Sequence, residues 1–194
     1  MRALFLSLLL IVSAPFVAQA DDRDLRIHEA TNFVGNSGMW DAMQVSMGDL
    51  GALVAAEFDG ISPQQSEEIR SLVNASYEQR KDELRMAVVG IHADLLSLTD
   101  LENLNAMFRS PLGRELAAHV ATGQPVTDEL MANIAGRLSP ADRAMSEALF
   151  ADPAAETWQA VQSRMLAEVE RASMQFGQSL VGALLPEIRA IVLR

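Results

Sequence analysis

The chain has 194 residues, with 15 Lys and Arg against 26 Asp and Glu and a formal net charge of −11. So acidic a chain lacks the basic footprint that phosphate backbones require, and no nucleic-acid partner is expected. Cysteine is absent, which removes disulfides, thiolate metal sites and cysteine nucleophiles together and leaves stability to a hydrophobic core.

The first element is a leader. Met1 and Arg2 make a short positive start, Leu4 to Val12 is an apolar run broken only by Ser7, and Val17-Ala18-Gln19-Ala20 supplies the small residues that a signal peptidase reads. The apolar run falls short of the roughly 20 residues needed to span a bilayer. Residues 1–20 therefore read as a Sec-type signal cleaved after Ala20, and residues 21–194 as a single helical domain, periplasmic or secreted.

Beyond the leader the expected fold class is all-α, a bundle of about seven to eight helices with two long ones and no sheet. Helices are expected near 24–34, 39–58, 63–95, 100–109, 111–122, 127–137, 140–151 and 153–193. In the third, Ile69, Leu72, Val73, Tyr77, Leu84, Val88, Ile91 and Leu95 recur at helical spacing, so one face is apolar. In the last, Trp158, Val161, Met165, Val169, Ala172, Phe176 and Leu180 form a similar stripe.

Helix starts are marked by Ser62-Pro63, Thr99-Asp100, Ser110-Pro111, Ser139-Pro140 and Asp152-Pro153. A capping oxygen accepts an orphan backbone N–H, and proline in the first turn loses no bond. Ser62 with Gln65, and Thr99 with Glu102, fit the capping box. The last helix is expected to bend at Gly182 or Pro186. Its end, Leu180 to Arg194, is apolar but too short and too interrupted to cross a membrane; docking onto the bundle is expected, with an oligomer or partner contact as the alternative. A weak repeat relates Leu98-Thr99…Glu102…Phe108-Arg109-Ser110-Pro111 to Leu138-Ser139…Asp142…Phe150-Ala151-Asp152-Pro153, two residues apart in spacing. It reads as a helical hairpin used twice.

The stretch Leu98 to Gln124 resembles a domain-of-unknown-function family of small exported bacterial helical proteins, the one numbered 2059. That family carries an F-Y-x-S-P-x-G motif. Here Phe108, Ser110, Pro111 and Gly113 match, and Met107 replaces the first aromatic. The resemblance covers about residues 60–125 and implies an exported helical domain, with no activity attached. Physics gives the same residues structural roles: Phe108 plugs a core, Ser110 caps a helix that Pro111 starts, and Gly113 lets a neighbour approach closely.

Chemistry is sparsely signalled. Met39, Met43 and Met47 lie four apart on one helix face beside Trp40. Thioethers are soft ligands suited to Cu(I), and methionine equally fills irregular core gaps. Packing is the expectation, with a partner-binding face and a soft-metal site as alternatives. Gly48, Gly51, Ala52, Ala55 and Ala56 follow, small enough for a second helix to come close. Glu115 and His119 share a face at i, i+4, and His28 and Glu29 are adjacent and diverge. No nucleophile elbow, zinc-protease spacing or phosphate loop is present. The expected function is a non-catalytic binding or interaction module of the bacterial envelope, without cofactor, engaging an envelope protein or a second copy of itself. The rivals are a soft-metal or small-ligand carrier, and a hydrolase whose site would need a pocket enclosing His92 or His119 with a carboxylate.

Overall fold

Seven helix starts among the described residues carry a side-chain cap, and these caps help to set where the helices meet. The computed structural model describes residues 22–194, so the expected leader and cleavage point lie outside the described residues. Those residues form helices without strand. α1 covers residues 22–36 as described. It is followed by α2 (Met39–Met47), α3 (Leu50–Ala56), α4 (Pro63–Leu95), α5 (Leu98–Arg109), α6 (Pro111–Val120), α7 (Asp128–Arg137), α8 (Pro140–Phe150) and α9 (Pro153–Val192). Among the described residues no helix is long and apolar enough to cross a membrane.

Two boundaries differ from expectation. The single helix expected over 39–58 is two. Gly48 takes φ +45°, ψ −116°, outside the helical region, and Asp49 restarts the chain by accepting the Ala52 N–H at 2.9 Å. Gly51 donates its N–H to Asn74 Oδ1 of α4, also at 2.9 Å. The second difference is at α5, which starts on Ser97 rather than Thr99. Ser97 Oγ accepts from the Asp100 N–H at 3.1 Å, and Asp100 Oδ2 accepts from the Ser97 N–H at 3.3 Å. The other expected box forms, with Ser62 and Gln65 exchanging bonds of 3.2 and 2.8 Å.

The corrected cap sharpens the internal repeat. Counted from Ser97 and Ser139, the acid comes three residues on (Asp100, Asp142), the phenylalanine eleven (Phe108, Phe150) and the proline fourteen (Pro111, Pro153), so the two-residue mismatch disappears. The packing is reciprocal as well: α5 touches α9, α6 touches α8, and α5 touches α8. Asn103 of α5 donates to the α9 cap Asp152 at 3.2 Å, while Ser146 of α8 accepts the Leu112 N–H in the first turn of α6 at 3.4 Å.

α4 and α9, 33 and 40 residues long, lie antiparallel along their apolar stripes. At one end Gln65 Nε2 donates to the Ile191 carbonyl at 2.8 Å; midway Tyr77 and Phe176 meet edge-on at 6.1 Å. α9 runs on through Gly182 and Pro186. Its C-terminal part docks in cis: Leu180 and Ile188 are fully buried, and Arg194 pairs with Glu68 at 2.7 Å. α1 crosses the other end, held by the buried Asn105, which donates to the Glu29 carbonyl at 2.9 Å and accepts from Asn36 at 3.1 Å. The core draws on α1 through α9, from Ala30 to Ile191.

Candidate ligand cavity

α2 meets α4 and α9 over a cavity of about 450 Å³. The capped helix stripes make its walls. Met39, Ala42 and Met43 come from one face of α2, while Val88 and His92 stand one turn apart on α4. Trp158, Gln162, Met165, Leu166 and Val169 follow the α9 stripe, and Val120, Gln124 and Val126 add the end of α6 and the connection after it. The lining is mostly apolar, and among these residues none is a carboxylate, Lys or Arg.

Two polar atoms stand out. His92 is 2% exposed, and its Nδ1 lies 2.8 Å from the Val88 carbonyl. A carbonyl accepts, so Nδ1 carries the hydrogen and Nε2 keeps a bare lone pair. Burial is the larger influence on the ring and pushes its pKa below the usual imidazole range, against the opposing pull of the Val88 bond, so the ring is neutral at pH 7. Among the described residues the buried Nε2 has no partner, and neither has the buried Trp158 Nε1–H. Both rings pack on Phe33, His92 at 5.5 Å and Trp158 at 6.3 Å between centroids. An unpaired buried polar group costs about 1–3 kcal/mol; seven side-chain polar atoms are so placed among the described residues, and these two belong to residues that line one cavity.

The residues singled out by sequence are partly brought together. Met39 and Met43 reach the cavity, where Met165 of α9 joins them; Met47 packs half-buried against the core and does not line it. The methionine face is thus neither bare nor fully enclosed. His119 bonds the Pro125 carbonyl at 3.1 Å, and Glu115 pairs with Arg137 at 3.0 Å, so the i, i+4 couple is not formed. His28 and Glu29 do not diverge as expected: His28 Nε2 lies 3.8 Å from Glu29 Oε1, on a side chain that is 70% exposed, so the contact is a surface one. Among the described residues no group of three His, Asp or Glu side chains could hold a metal. Phe108, Ser110 and Gly113 build structure: Phe108 meets Phe33 edge-on at 5.7 Å, Ser110 Oγ accepts the Gly113 N–H at 3.1 Å, and Gly113 lies bare against the Met107 carbonyl and the Phe108 backbone. Trp158 and Met165 were visible as positions on a helical stripe and His92 only as a histidine, and no local signal joins them to Met39 and Met43.

A larger groove, about 640 Å³, lies between the start of α4 and the end of α9. It is an open surface trough walled by Glu67, Glu68 and Glu187, with Arg194 already paired to Glu68. No family model matches the chain, and neither a curated protein nor a solved structure does.

Proposed function

We propose that this chain is a non-catalytic helical binding module of the bacterial envelope that holds a small apolar molecule between α2, α4 and α9. One observation carries the reading: a cavity of about 450 Å³ with apolar walls that also contains His92, whose buried Nε2 lacks a partner. Ligand sites have this make-up, an apolar concavity of roughly 300–1,000 Å³ with a few polar groups that orient the guest. A hydrolytic Glu–His pair has no support at this cavity, since no carboxylate is among its lining residues. Export rests on the leader at residues 1–20. The resemblance carried by Phe108, Ser110, Pro111 and Gly113 is part of the same proposal and adds only an exported helical layout.

A second reading has its own support. Met39, Met43 and Met165 share the cavity with an imidazole whose Nδ1–H is held by a carbonyl, the orientation usual for a metal-ligating histidine. Thioethers with one neutral imidazole would suit Cu(I). The size of the cavity favours the organic guest, since a single ion leaves most of that volume unfilled.

Native mass spectrometry on protein taken from its own envelope tests the choice. The expected result is a bound organic mass that is lost in Ala42→Phe, which fills the cavity from α2. A copper-sized increment would support the second reading. Protein that emerges bare and shows no thermal shift with apolar probes overturns both.

A further inference from the structure

We infer that the guest is an electrically neutral amphiphile whose head carries both a hydrogen-bond donor and an acceptor, an alcohol or an amide rather than a carboxylate or an ammonium; this rests on the cavity reading above. The two unpaired atoms have opposite needs. His92 Nε2 offers a lone pair and calls for an O–H or N–H, because Nδ1 already donates to the Val88 carbonyl at 2.8 Å. Trp158 Nε1–H only donates and calls for an oxygen. A carboxylate would satisfy Trp158 and leave His92 facing a second acceptor. An ammonium would satisfy His92 and leave Trp158 unpaired. Hydroxyl and primary amide groups supply both functions.

Charge gives the same answer. No Lys or Arg is among the lining residues to neutralise an anion, and no Asp or Glu to neutralise a cation. Burying an unpaired charge in such a site is far more costly than burying a neutral dipole. The polar atoms are covered in the unliganded chain, so the head must displace something to reach them. Met39 and Met43 are suited to yield, because an unbranched thioether with three rotatable bonds repacks at little cost.

The test is isothermal titration calorimetry of the purified protein with one eight-carbon chain and five heads: 1-octanol, octanamide, methyl octyl ether, octanoate and octylammonium. Octanol and octanamide should bind about tenfold tighter than the ether, a difference of about 1.4 kcal/mol, because the ether accepts and cannot donate. Octanoate and the ammonium should bind more weakly still. In His92→Phe, the roughly tenfold preference for octanol over the ether should disappear. Equal binding of all five probes overturns the head-group inference and leaves the cavity reading standing. Preference for octanoate also overturns it. Binding of none of them overturns the cavity reading itself. The wild-type comparison decides the matter even where His92→Phe fails to fold.

Discussion

His92 is a buried base whose ring nitrogen count is only half used, and that makes it a reporter of acid. In the unfolded chain it titrates near the ordinary imidazole value of 6.5, while burial lowers its pKa in the fold. Between the lowered value and 6.5 the unfolded chain holds a proton that the folded chain does not, so stability rises with pH there. The stability is fully present above about 6.5 and is lost as pH falls from 6.5 through the folded pKa. Thermal melts should show the midpoint falling as pH is lowered from 7.5 to about 5.5, and His92→Phe should flatten that slope. Gly113 makes a steric claim instead. A Cβ there would run into the Met107 carbonyl and Phe108 Cα, which are backbone and cannot swing away. Gly113→Ala should therefore destabilise by about 1–3 kcal/mol in urea titrations, the usual cost of overpacking. The F-x-S-P-x-G pattern foretold a close approach at Gly113; that the partner is the end of the preceding helix is a matter of how α5 and α6 fold back on each other.

Helix ends show where local chemistry suffices and where it does not. Ser62, Ser110, Ser139 and Asp152 cap the helices expected of them, each accepting from a backbone N–H two or three residues on. These bonds close within one turn, so neighbouring residues are enough to dictate them. Thr99 was the expected cap of α5, but Ser97, two residues earlier, forms the box with Asp100. Ser97→Ala should cost about 1 kcal/mol and Thr99→Ala less than about 0.5, measured by chemical denaturation. The break at Gly48 was not legible because a glycine inside a run of good helix formers is tolerated at about 1 kcal/mol. Distant residues provide the incentive to break there: Asn74 of α4 takes the Gly51 N–H and donates to Asp49 Oδ1, both at 2.9 Å, and Arg70 pairs with Asp49. Hydrogen bonds from Asn74 and Ala52, with Arg70 nearby, hold the Asp49 carboxyl below its ordinary range.

The antiparallel pair α4–α9 spans the molecule, with one end closed by Gln65, Ile191 and Arg194 and the other opening into the cavity. Helices α5, α6 and α8 buttress it, α5 against α9 and α6 against α8, which gives the sequence repeat from Ser97 and Ser139 a packing role; of the two hairpins expected from that repeat, α5 and α6 fold back on each other while α8 and α9 make no comparable contact. The end of α9 is part of this frame. Ile188 is fully buried there, and Ile188→Ala should cost about 2–5 kcal/mol, read from the urea midpoint, for a cavity the antiparallel pair cannot close.

Amino-acid order alone was enough for the all-α class, the two long amphipathic helices and most of the caps, because periodicity and capping act between residues three or four apart. It also marked Met39 and Met43 as one helix face. Folding in three dimensions decided that these two meet His92, Trp158 and Met165 around a cavity while Met47 does not, and that Glu115 turns to Arg137 instead of His119. Those encounters join residues 22 to 126 positions apart in the chain. They depend on how whole helix faces pack, a property that no short window of sequence contains.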